Sequence, residues 1–268
     1  MKKYVSFFKM RFQVGLQYRS ASIAALTTQF LWGIMEIAAY RAIYLSSGKE
    51  PPMEFSALVS YIWLKEAFLA MFNTWIATDG DIFSVIMNGD VAYELCRPIS
   101  LYRMWFAKSV GGRCATAALK CVPIISVAAL LPRPYRISAP ESITAFCFFL
   151  LTLFLGLLVT VSFCMLVYAI TLFTISPQGL RALLTGAVEF LSGAIIPFPF
   201  IPQPVRGVLE MLPFGSMQNV ALRVYSGSLA GGEALRAVWL QIFWIAALVL
   251  AGRAVCRRAE QRMVVQGG

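Results

Sequence analysis

Glu36, Lys65, Glu66, Arg113, Lys120 and Glu189 stand within long apolar stretches of this sequence. An ionised Asp, Lys or Arg at the centre of a membrane helix costs about 2.5–3.5 kcal/mol on insertion scales. Such residues pair with one another, face a bundle interior, or line a path for something polar. The sequence leaves structural pairing and a substrate path both open. Lys65 and Glu66 are neighbours, so on a helix they point about 100° apart. The expectation is that they share no face and that each needs its own partner or an interfacial position.

Residue types exclude other chemistry. The chain has no histidine, which removes the commonest general base and metal ligand and with it a Ser–His or His–metal site. Asp79, Asp81 and Asp90 all fall in one polar stretch, so no aspartate pair lies within an apolar run. Cys96, Cys114, Cys121, Cys147, Cys164 and Cys256 form no C-x-x-C pair and read as buried reduced thiols. There is no G-x-x-x-x-G-K-S/T loop, the phosphate cradle of ATP-hydrolysing chains. The expectation is a non-catalytic chain with no cofactor or metal of its own.

The elements that must position these charges are membrane helices. Hydrophobic residues make up 59% of the 268 and charged residues 13%, with a mean hydropathy of +0.72. A soluble domain carries about 25% charged residues, so these side chains must face lipid or one another. The net charge is +10. Nucleic-acid binding is set aside, because the basic residues flank apolar runs, where Lys and Arg hold segments at the cytoplasmic face and meet anionic lipid. The basic start is interrupted by polar residues and does not read as a signal peptide.

Residues 1–20 read as an amphipathic interfacial helix. Lys2, Ser6, Lys9, Gln13 and Gln17 form a polar stripe, opposite Tyr4, Val5, Phe7, Phe8, Phe12 and Leu16. Arg11 intrudes on the apolar side, where its stem can snorkel. Residues 21–268 read as a transmembrane domain with spans at about 23–44, 55–78, 105–131, 143–175, 181–196 and 233–256. The third is the least regular, carrying Lys108, Arg113, Lys120 and Pro123, whereas residues 142–180 hold no charge and no turn signal that divides them, which leaves one long tilted helix or a two-span hairpin. Pro197, Pro199, Pro202 and Pro204 forbid a continuous helix after the fifth span, so residues 193–232 read as short re-entrant helices. Of Trp32, Trp63, Trp75, Trp105, Trp239 and Trp244, several fall toward span ends and suit an interfacial belt; a ligand cage is the other reading. Most of the 23 Lys and Arg residues fall on the side of the two termini, which places both ends in the cytoplasm.

The polar stretch 81–98 reads as a compact knob outside the membrane. Asp81 is expected to cap one short helix that ends at Gly89, and Asp90 to cap a second. Ile82, Val85, Ile86, Val91 and Leu95 supply apolar anchors, while Asp90, Glu94 and Arg97 supply charged contacts that fix register.

The run Gly89-Asp90-Val91-Ala92-Tyr93-Glu94-Leu95-Cys96-Arg97-Pro98, followed by Leu101-Tyr102, is the strongest local signal. With it go Lys9, Phe12, Leu16, Gln17, Tyr18 and Arg19, the run Leu191-Ser192-Gly193-Ala194-Ile195-Ile196-Pro197, Leu212-Pro213-Phe214, and the closing Val264-Val265-Gln266-Gly267-Gly268. In these residues the chain resembles the ABC-2 family of exporter permeases. The resemblance implies an all-α membrane protein of the type V exporter kind in a bacterial cell membrane, with six transmembrane helices, the amphipathic helix, a cytoplasmic coupling helix and re-entrant extracellular helices. It implies pairing with an identical or homologous permease and docking of two ATP-binding subunits, which hold the ATP and Mg. Ile82, Val85, Ile86, Asp90, Glu94, Leu95 and Arg97 would then couple the chain to the ATPase. Two other readings stand beside it: an ion-coupled secondary transporter, which usually has repeats not visible here, and a non-transporting membrane assembly protein. An ATP-hydrolysing partner separates the first reading from both.

Overall fold

Apolar runs separated by proline- and glycine-rich breaks fold here into helices alone. A computed structural model describes residues 2–17, 19–46, 51–73, 77–174 and 177–262. In chain order the helices are α1 (Lys2–Gln17), α2 (Arg19–Ser46), α3 (Phe55–Phe72), α4 (Ala77–Met87), α5 (Val91–Leu95), α6 (Leu101–Leu130), α7 (Ile143–Thr171), α8 (Gln178–Leu191), α9 (Gln203–Met211), α10 (Asn219–Tyr225) and α11 (Gly231–Arg262), with a 3-10 turn at Phe198–Phe200. No strand occurs among the described residues. Tyr18, Trp75 and Val264 to Gly268, which entered the sequence reading, lie outside them.

Residues 143–171 of the charge-free run form one unbroken helix, α7, at the centre of the bundle. Ser142 Oγ accepts the Ala145 N–H at 3.0 Å and caps it. Helices α3, α6, α10 and α11 all pack on α7. Phe149 of α7 sits between Phe68 of α3 and Tyr225 of α10, with ring centroids 6.0 and 5.1 Å away. Gln241 of α11 is buried, and its amide donates to the Thr152 and Ser216 carbonyls at 3.0 Å each. Gly156 lets the chain before α10 approach: a Cβ there would stand 2.2 Å from the Met217 carbonyl oxygen.

Among the described residues, four helices are long and apolar enough to cross a membrane: α3, α6, α7 and α11. The first and fifth expected spans do not reach that standard. Helix α2 has 28 residues but carries Gln29, Glu36 and Arg41. Helix α8 has only 14 residues, against the ~20 that one span needs. Helix α6 runs through Pro123 without a break. The prolines after α8 break the chain as expected, and Pro197 and Pro202 immediately precede the 3-10 turn and α9.

Several local expectations are corrected. Helix α4 begins at Ala77, so Asp81 does not cap it. Asp81 instead meets Arg11 of α1 at 2.7 Å. Asp90 precedes α5 but makes no side-chain cap bond, because its own backbone is already helical. Gly89 does end the first turn of the knob, with φ +77. Trp63 and Trp105 are core residues, not belt residues, since each indole N–H finds a partner inside: Trp63 Nε1 donates to the Tyr135 carbonyl at 2.8 Å. Cys96 and Cys147 are exposed, and Cys114 and Cys121 are half-buried, so only Cys164 and Cys256 fit the expectation of buried thiols.

Candidate functional site

The apolar helices gather their misfit charges in one place. Between α2, α3, α6 and α8 lies a cavity of about 900 Å³, and Glu36, Lys65, Glu66, Lys120 and Glu189 all line it. Arg113 stands apart. It is fully buried, and it donates to the Met71 carbonyl at 3.2 Å and to the Asn73 carbonyl. It thereby satisfies orphan carbonyls at the end of α3, where a cation also suits the helix dipole.

Lys65 organises the cavity wall. Its ammonium donates to Glu36 of α2 and to the Ala194 carbonyl at 3.2 Å, and stands 3.7 Å from Glu66 Oε1. This corrects the expectation that Lys65 and Glu66 need separate partners. The four-carbon lysine stem bends across the angle between adjacent helix positions. The contact with Ala194 also fastens the segment after α8 to α3. Lys120 is half-buried and Glu189 exposed, and neither forms an ion pair with a described residue.

Sequence reasoning missed Gln29, and it grouped Trp32 with the belt tryptophans. Gln29 is 5% exposed, lines the cavity, and has neither amide oxygen nor amide nitrogen hydrogen-bonded. Most buried polar groups find partners, so this side chain is poised for something that enters. The signal was present in the sequence: Gln29 lies seven residues before Glu36, which is two helical turns and one face. Trp32 is 61% exposed and lines the same space.

The knob, α4 and α5, is anchored from within. Ile82, Phe83 and Val91 are buried, while Val85, Ile86 and Leu95 are half-buried. Phe83 meets Tyr168 of α7 edge-on at 5.0 Å, and the Arg181 guanidinium lies 4.6 Å above the Phe83 ring. Glu94 was expected to face a partner, but it turns inward: Lys108 Nζ donates to Oε1 at 2.6 Å and Trp105 Nε1 to Oε2 at 2.5 Å. Once α5 packs on α6, Glu94 points at the start of α6, which no periodicity could indicate for a helix of five residues. Asp90 is half-buried and Arg97 exposed. The outer surface of the knob also carries Met87 and Tyr93, the latter 77% exposed. Neither was among the expected contacts. Helix α1 braces this assembly, through Arg11 on Asp81 and through Tyr4, whose hydroxyl accepts the Ser100 N–H at 3.3 Å.

No protein-family model matches this chain, and no curated protein shows significant similarity to it.

Proposed function

We propose that this chain is the membrane-spanning permease subunit of an ATP-driven exporter. The observation that carries the reading is the convergence of Glu36, Lys65, Glu66, Lys120 and Glu189 on one cavity of about 900 Å³. That volume is in the range of small-molecule sites, about 300–1,000 Å³. Ionisable groups grouped inside a membrane bundle mark a substrate or ion path.

In this reading α2 and α8 complete the bundle to six spans, and a second permease covers their outward apolar faces, which include Leu31, Leu183 and Phe190. The knob faces the cytoplasm and docks a separate ATP-binding subunit through Met87, Tyr93 and Arg97. The Glu94–Lys108 pair makes the knob one rigid piece with α6, so a push on the knob moves a helix that forms one wall of the cavity. The sequence motifs that resemble the ABC-2 family support this assignment.

Extraction of the tagged chain in mild detergent, followed by identification of the subunits retained with it, tests the proposal. A P-loop ATPase in equimolar amount is expected. Its absence, with transport intact, contradicts the proposal. The Glu36–Lys65–Glu66 cluster also favours a second reading, an ion-coupled carrier, because buried carboxylates serve as proton relays. Transport by the chain alone, driven by an ion gradient, would establish that reading instead.

A further inference from the structure

The cavity has spare acceptors and few spare donors. An ammonium has three N–H groups and no acceptor. Those of Lys65 are faced by Glu36, Glu66 and the Ala194 carbonyl, so Lys65 has nothing left for an anion. Lys120 is the other cation in the lining, and Glu66 and Glu189 share the lining with it. On the acidic side, Glu36 Oε1 is buried without a partner among the described residues, and Glu189 is exposed and in no ion pair with a described residue. Three carboxylates stand against two ammoniums in this lining, and the imbalance favours a cation. Gln29, 5% exposed and wholly unpartnered, independently marks the same space as built for a guest. Trp32, Met35, Leu69 and Phe72 supply an apolar and aromatic surface, and an indole face attracts cations.

We infer that this cavity binds an amphipathic organic cation, with its positive group beside Glu36 and Glu189 and its apolar body against Trp32, Met35, Leu69 and Phe72. The inference rests on reading the cavity as the substrate path, and it names the class of molecule that enters. Anionic amphiphiles of the same shape are excluded by charge.

Tetraphenylphosphonium and tetraphenylborate provide the test, being nearly identical in shape and opposite in charge. Binding is measured on the purified chain in phosphatidylcholine nanodiscs, with empty nanodiscs subtracted. Saturable binding of the cation and none of the anion is expected. Glu189→Gln weakens the cation by about tenfold, the equivalent of one pairwise charge contact of 1.4 kcal/mol. Glu189 has no ion pair with a described residue to lose, so this variant is expected to fold normally, which its thermal unfolding checks. Lys120→Gln strengthens cation binding severalfold. Equal binding of both ions, or cation binding unchanged in Glu189→Gln, overturns the inference. Binding needs no ATPase, so the two proposals fail separately. Cation binding without any ATP-driven transport would sink the exporter and keep the ligand class. ATP-driven transport without cation selectivity would do the reverse.

Discussion

Among the described residues, lysine and glutamate meet inside this bundle at the knob and in the cavity, and the two places are finished to different degrees. At the knob, both carboxylate oxygens of Glu94 are engaged, one by Lys108 and the other by Trp105. In the cavity, Glu36 gives one oxygen to Lys65 while the other has no partner. Buried ions are tolerated when their lone pairs and protons are satisfied. The saturated pair is therefore a fastening, and the unsaturated one is an opening for a guest. Burial and charge alone do not separate structural from functional ion pairs; counting the unfilled hydrogen-bond positions does.

Substitutions sharpen this contrast. Glu94→Ala leaves Lys108 buried without its counter-ion, and loss of one such partner costs about 3–5 kcal/mol. Thermal unfolding in detergent should report it, and the double change Glu94→Leu with Lys108→Met should recover most of the loss. A small effect of the single change would dissolve the distinction. Arg113→Met strips the carbonyls of Met71 and Asn73 of their donor, with a loss of about 1–3 kcal/mol by the same measurement. Glu36→Gln is milder, about 1 kcal/mol, because Glu66 already stands 3.7 Å from the same ammonium. If Glu36→Gln destabilises as much as Glu94→Ala, the cavity pair is a fastening too. Arg97→Glu lies on the exposed rim of the knob and should leave stability within about 0.5 kcal/mol. Its effect should appear instead in ATP hydrolysis by the assembled complex, which becomes uncoupled from transport. Normal coupling in this variant would remove Arg97 from the docking surface.

The sequence made the large features legible and the orientations obscure. The charge-free run was long enough for one extended helix or a two-span hairpin, and α7 is the first of these over residues 143–171. The proline cluster dictated the break after α8. Arg113 and Lys120 are seven residues apart and share a face of α6, but no pattern in the sequence indicated the depth at which α3 ends beside that face, where Arg113 meets the Met71 and Asn73 carbonyls while Lys120 lines the cavity. The Lys65–Glu66 expectation failed because it treated side chains as spokes, whereas a lysine is long enough to reach around. Glu94 sits in a single helical turn, too short for periodicity to declare an inward side. Gln29 was readable from its spacing to Glu36, yet an uncharged polar residue in an apolar run draws less notice than a charge.

The most direct test is uptake of tetraphenylphosphonium into inside-out vesicles that hold the chain with its co-purified ATPase. ATP-dependent uptake is predicted for the native chain, with Glu189→Gln hydrolysing ATP but accumulating little. Uptake that continues without ATP, or that Glu189→Gln leaves undiminished, would contradict the account.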